Sequence, residues 1–282
     1  MKSNYYCTVA GLPDITLDDT KLSFTVGDFK EELYPELTLK DRKLLDIFYL
    51  QFDNRNLLAL IKSENTEPVF DSSGNFSSDE LEELVELVQN GEESVKGFPA
   101  YMVDFLVAFY AKKEEEVANW EDRLSVGYYN YAMRSNNQFI SSWYTFCLHL
   151  NNIQLALASR RHGISYAETI VGNTEVCEAI RKSNARDFGL SAELPYMSDL
   201  LKLDEMVDLV ERERKTDLLK WEWMEEASFY DYFSLERLFV FLLKLEMIER
   251  WISLDKIKGN QKFRAIIDSL KNDVQIPEEF KK

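Results

Sequence analysis

The chain has 282 residues and carries 50 acidic against 33 basic side chains, a formal charge of −17. Its mean field repels nucleic-acid phosphates and anionic lipid headgroups, so neither is an expected partner. Apolar residues at 45% and charged residues at 29% exclude a disordered chain, and the length allows a substantial core. The low counts of 10 Gly and 6 Pro, with abundant Leu, Glu and Lys, predict an all-α protein.

Residues 5–13 form a short apolar run closed by Gly11-Leu12-Pro13-Asp14, which reads as a lone strand or an extended anchor. A helix is predicted from Thr38 or Asp41 to Ile61, stopping before Asn65 and Pro68. Asp71-Ser72-Ser73-Gly74-Asn75 has loop composition. Ser77 and Glu80 then form a capping-box pattern ahead of Leu81, Leu84, Val85 and Val88 at helical spacing, with Gly91 as the stop. From Pro99 the helical pattern runs to about Arg134, predicting a rod of about 50 Å at about 1.5 Å per residue. In it Phe105, Phe109, Val117 and Trp120 mark a buried side, Lys112 to Glu116 a solvated face, and Gly127 a bend.

Ser135-Asn136-Asn137 interrupts that pattern, and the next helix repeats an earlier one. If Asn56 is laid on Asn152 without gaps, Leu57 meets Ile153, Ile61 meets Leu157, Phe48 meets Tyr144 and Phe52 meets Leu148. Such self-similarity predicts a small helical unit used more than once, because one unit alone cannot bury its apolar stripe. Possible units are 15–98, 99–190 and 191–282 within one domain spanning residues 1–282. The second copy should end at Gly163, a natural left-handed cap. Short helices follow over Asn173 to about Ser183 and Met197 to Arg214, divided by a loop from Gly189 to Pro195. The mixed charges of Glu211 to Lys215 read as exposed.

Trp221, Trp223, Phe229, Tyr230, Tyr232 and Phe233 cluster densely. They read as core, with a partner surface as the functional alternative. Ser234 should cap a last long helix bearing Leu238, Phe239, Leu242, Leu245 and Ile252, ended by Gly259. Another short helix to about Leu270 and a frayed tail after Pro277 complete the chain.

Chemistry has little support in the residue pattern. Cys7, Cys147 and Cys177 are too scattered for a disulfide framework or a Cys-x-x-Cys metal site, which suits a cytoplasmic protein. There is no signal-peptide core and no window of about 18 apolar residues. Residues three before His149 and His162 are Phe146 and Ser159, so the Glu-x-x-His spacing of a diiron bundle is missing. His149 is expected to pack or hydrogen-bond within a helix pair, and His162 to assist a helix C-terminus. No nucleophile elbow, phosphate loop or dinucleotide fingerprint is present, so no catalytic, cofactor or metal residue is assigned. Asn56 and Asn152, on mostly apolar faces, are expected to bond the backbone of a neighbouring helix and fix register, with a partner contact as the alternative. Arg160 and Arg161 sit where a helix end needs positive charge.

The second copy, with Asn152, Ile153, Leu157, Arg160, Arg161 and Gly163, resembles the C-subunit family of the V-type ATPases, whose eukaryotic member is the d-subunit. That family is built from pseudo-repeated helical units bearing an Asn-aliphatic-x-x-x-aliphatic-basic signature. Lys62 holds the basic position in the first copy, while Ala158 stands where the family most often has Arg. Lys244 to Ile252, containing Arg250, is similar to the third unit but lacks its Asn. The opening Tyr5 to Asp14 resembles a bacterial branch of uncharacterised relatives of that family. The resemblance implies a non-catalytic adaptor of a proton- or sodium-translocating rotary ATPase, without cofactor. It would couple the central shaft to the membrane rotor ring from the cytoplasmic side, without entering the membrane. Asn56, Lys62, Asn152, Arg160, Arg161 and Arg250 are then the structural or partner-binding candidates. The alternative is a helical protein-interaction scaffold outside any rotor.

Overall fold

The structure, a computed structural model, describes residues 4–62, 69–111 and 120–254. Among these residues it is all-helical, with no strand. Residues 5–13 correct the expected strand: α1 (Tyr6–Ala10) is a short helix. A lone strand would have no sheet to pair with here. Instead the Tyr5 backbone N–H donates to the Phe233 carbonyl at 2.7 Å, and the Tyr5 hydroxyl donates to Asp41. α2 (Val26–Asp28) opens with a capping box on Thr25 and passes into one π turn and one 3-10 turn.

α3 (Leu39–Lys62) begins where Thr38 accepts from the Asp41 amide. α4 (Ser78–Gln89) has the expected capping box between Ser77 and Glu80, and its stop is Gly91 with φ 96°. Leu81, Leu84 and Val88 of α4 are buried against the C-terminal half of α3.

The predicted rod is instead α5 (Ala100–Ala111) and α6 (Trp120–Met133), packed antiparallel. Phe105 and Phe109 meet Trp120 at ring distances of 5.9 and 5.0 Å, while Tyr101 meets Tyr131 at 5.5 Å. The two halves of the periodic pattern bury each other's aromatic faces, which a straight rod would leave in water. Gly127 lies inside α6 and gives Tyr101 room, since a Cβ there would sit 3.0 Å from the Tyr101 ring. The Asn65 and Pro68 stop, the Lys112 to Glu116 face with Val117, and the features from Gly259 onward all lie outside the described residues.

α7 (Gln138–His162) is capped by Asn137 and ends at left-handed Gly163, with the Ile164 amide returning to the Ser159 carbonyl at 2.9 Å. α8 (Glu175–Lys182) is capped by Thr174. The single helix expected from Met197 to Arg214 is two, α9 (Met197–Asp204) and α10 (Leu209–Ala227), because Asp208 starts a new helix by accepting from the Val210 and Glu211 amides. α11 (Leu235–Ser253) follows Ser234, whose hydroxyl donates to the Asp231 carbonyl instead of capping the helix.

The repeated Asn does the same thing in both copies. The Asn56 amide donates to the Asp71 carbonyl at 2.9 Å and accepts from the Asp71 N–H at 2.8 Å. The Asn152 amide donates to the Val171 carbonyl at 2.7 Å and accepts from the Val171 N–H at 3.0 Å. Each thus satisfies both backbone groups of one residue in the loop that returns along the long helix. One turn earlier, the aligned residues Asp53 and His149 hold the approach to the next helix. Asp53 accepts from the Asn75 and Phe76 amides at 3.0 and 3.1 Å, and His149 Nε2 lies 2.9 Å from the Thr174 hydroxyl.

Truncating Asn56 leaves the N–H and C=O of Asp71 unpaired, and truncating Asn152 leaves the Val171 N–H unpaired while the Val171 carbonyl keeps the Cys177 thiol at 3.3 Å. Asn56→Ala and Asn152→Ala are each expected to cost about 2–4 kcal/mol, measured by urea unfolding. A loss under about 0.5 kcal/mol would show that water replaces the amide freely.

Candidate functional site

The sequence candidates lie in different parts of the fold, most of them engaged by other residues of the chain. Arg160 reaches past its own helix end. Its guanidinium donates to the Ser183 and Ala185 carbonyls at the end of α8 and to the Tyr166 hydroxyl, and lies 3.9 Å over the Phe188 ring. Phe188 is buried with φ 57°, a left-handed conformation costly for an aromatic residue, and the Arg160 stack holds it there. Arg161 pairs with Asp204, the last residue of α9, at 2.7 Å. Lys62 pairs with Glu121 where both are more than half exposed, an arrangement that contributes little. The candidates at Asn56 and Asn152 are engaged in the loop clamps.

Arg250 leads elsewhere. It donates to Glu213 at 2.9 Å and to the fully buried Asp217, which also accepts from the Trp251 indole at 2.8 Å. This cluster borders a central depression of about 320 Å³. Each long helix supplies an i, i+3 pair to it: Phe48 and Gln51 from α3, Tyr144 and Cys147 from α7, and Leu243 and Glu246 from α11. The gapless alignment of Asn56 with Asn152 lays Phe48 on Tyr144 and Gln51 on Cys147, so matching positions of the repeat face one space.

The chemistry of the depression is subdued. The Tyr128 hydroxyl bonds the Ile47 carbonyl at 3.0 Å and the Tyr144 hydroxyl at 2.8 Å, and burial pushes both phenols up. Burial also pushes the Cys147 thiol up to about 12, so it stays protonated at neutral pH and is a poor nucleophile. Among the described residues no cluster of His, Cys, Asp and Glu could hold a metal ion.

A second region departs from the core expected of it. Trp221 and Trp223 do pack inward, with Trp223 stacked on Phe146 at 4.9 Å. Phe229 to Phe233, however, lie in the loop between α10 and α11, which runs from Ser228 to Ser234. Phe229, Tyr230, Tyr232 and Phe233 are exposed there, from 38% for Phe233 to 91% for Tyr230. Tyr6 of α1 joins them, its ring 4.6 Å from that of Phe233. A signal for this exposure exists in the sequence: the run lies between Ser228 and Ser234 and lacks helical period.

A family model described as protein of unknown function (DUF2764) matches residues 1–274, and the chain belongs to that family. No curated protein and no solved structure matches it. The resemblance to the C-subunit family of the V-type ATPases is thereby corrected, since the family that spans the chain is DUF2764. The physical reason lies in the signature itself. Its Asn clamps a loop and its Arg closes a neighbouring helix end, local tasks that any helical unit of this shape must solve. Such a signature reports packing and does not identify a rotor component.

His149 gives a pH test of the second clamp region. Burial holds this imidazole below its ordinary value of 6.5. The unfolded chain therefore takes up the proton first as pH falls below about 6.5, and the stability associated with neutral His149 is lost on acidification. Between pH 7.5 and 5.5 the wild type should lose more unfolding free energy than His149→Gln, measured by urea titration. Equal losses would place His149 outside the acid response.

Proposed function

We propose that this DUF2764 protein is a non-catalytic helical scaffold that binds a partner protein through the aromatic loop between α10 and α11. The observation that carries the reading is the exposure of Tyr6, Phe229, Tyr230, Tyr232 and Phe233 together. With about 200 Å² for each full aromatic side chain, they offer roughly 600 Å² of aromatic surface. That reaches the upper end of what a monomer shows and approaches the roughly 800 Å² that one partner supplies to a standard interface. Tyr and Phe are also the residues that anchor interfaces, where a large rigid ring loses little entropy on docking. The charge of −17 disfavours anionic lipid or nucleic acid as the occupant.

A narrower form of the proposal names the partners as the central shaft and membrane rotor ring of a V-type rotary ATPase, with the protein as a peripheral cytoplasmic adaptor. It asks for a stiff helical body with a surface that receives a shaft, and the rim of the depression that the long helices share offers that surface. One turn of helix with its side chains fills about 400 Å³. A shaft tip would therefore meet the rim of the 320 Å³ depression rather than enter it. Among the described residues no helix is long and apolar enough to cross a membrane, so the ring would be met from outside the bilayer.

Affinity capture from soluble extract and gently solubilised membranes, with mass spectrometry, tests both forms. Proteins held by the wild type should fall at least tenfold with the double variant Phe229→Ser, Tyr230→Ser, whose melting temperature should be unchanged because both rings lie in solvent. Rotary ATPase components among them would support the narrower form. Equal capture by the variant would remove the aromatic loop from the interface, and absence of those components beside an intact ATPase in the same extract would end the adaptor reading.

A further inference from the structure

The central depression has a charge imbalance that its own residues do not resolve. Three carboxylates, Glu213, Asp217 and Glu246, line it with two cations, Lys220 and Arg250. Arg250 is committed to Glu213 and Asp217, and Lys220 lies 3.6 Å from the other oxygen of Asp217. The remaining carboxylate is Glu246. It makes no hydrogen bond or ion pair with any described residue, and Arg250, Lys220 and Arg55 act on it only at longer range.

The walls around Glu246 suit a cation. Tyr128, Tyr129, Trp143, Tyr144 and Phe48 line the same space, and their ring faces carry negative charge density. A bare carboxylate in such surroundings is costly, as shown by the upward push that burial gives its proton affinity. A positive group beside it offsets that cost and gains the ring faces as well. An anion would gain neither, because both basic side chains already serve Asp217. The volume of about 320 Å³ lies at the lower edge of small-ligand sites, which limits the guest to one amine or one basic side chain.

We propose that the central depression binds an organic ammonium or guanidinium cation, with Glu246 as its carboxylate partner and the aromatic side chains as its walls. The cation is either a free amine or the tip of a Lys or Arg side chain presented by a protein partner, since both bring the same group to the same place. The assignment is independent of the aromatic loop: it uses other residues and is tested without a partner protein.

Trp143 lines the cavity and provides a fluorescence signal. The full-length protein would be titrated with n-butylammonium chloride, a blocked Gly-Lys-Gly peptide and, as the opposite charge, sodium butyrate, at constant ionic strength. Saturable binding of at least one cation, without butyrate binding, is expected. Glu246→Gln should weaken cation binding at least tenfold, and melting temperature checks that it folds. Lys220→Gln, which removes a competing positive charge, should tighten binding several-fold and provides a readout of opposite sign. Butylammonium binding as tightly as the peptide would identify a free amine, whereas binding of the peptide alone would identify a presented side chain. Absence of saturable binding by both cations, or unchanged affinity in Glu246→Gln and Lys220→Gln alike, would overturn the assignment.

Discussion

Two buried side-chain amides, on Asn56 and Asn152, set the geometry on which the rest of the molecule depends. A loop that runs back along a helix carries backbone groups that lose water when it packs, and those groups need partners. A buried Asn can serve an N–H and a C=O of one residue at once, and here each Asn does so. Asp53 and His149, one turn earlier, then fix the approach to α4 and α8. Asp53 leaves no slack: a Cβ on Gly74 would fall 2.2 Å from its carboxylate, so the loop accepts only glycine there without moving.

The clamps recur along the chain, one leading from α3 into α4 and the other from α7 into α8. The central depression follows from that repetition, since the aligned pairs Phe48/Gln51 and Tyr144/Cys147 both face it. α11 completes the wall without an Asn of its own. In place of a clamped loop it uses charge, holding α10 through Arg250 to Glu213 and Asp217, through the Trp251 indole to Asp217, and through Lys244 to Glu225. Lys244 also lies 4.1 Å over the Trp221 ring, which compensates in part for burying its ammonium. Glu246 is what this charge network leaves over, and the aromatic loop is what the packing leaves outside.

Local and periodic features were legible in the sequence. The Ser77 capping box, the Gly91 and Gly163 stops, the Asn137 break and the Asn repeat all announce themselves within a few residues, because caps and stripes are short-range physics. The helical fold class followed from composition, the scarcity of Gly and Pro beside abundant Leu, Glu and Lys. Features that depend on which surfaces meet were harder to read. The α5–α6 pattern was continuous, so its folding back into a hairpin could be known only from the mutual burial of Phe105, Phe109 and Trp120. Asn56 and Asn152 were expected to bond the backbone of a neighbouring helix; each instead holds one residue of the loop that follows its own helix, a partner that only the folded chain reveals. The depression was invisible because Glu213, Asp217, Lys220 and Glu246 are ordinary charges until α10 and α11 bring them to one space. Hydrophobicity alone sends the rings of Phe229 to Phe233 inward, although the loop that carries them was readable from the flanking serines.

The clamp can be measured directly by native-state hydrogen exchange at the Asp71 and Val171 amides. Both lie in loops, where an amide free in water exchanges at nearly the random-coil rate. With the Asn56 and Asn152 side chains as acceptors, both should exchange at least about a hundredfold more slowly. Asn56→Ala should release the Asp71 amide while leaving that of Val171 protected, and Asn152→Ala should do the reverse. Rapid exchange at both amides in the wild type would contradict the claim that the repeated units are built on these asparagines.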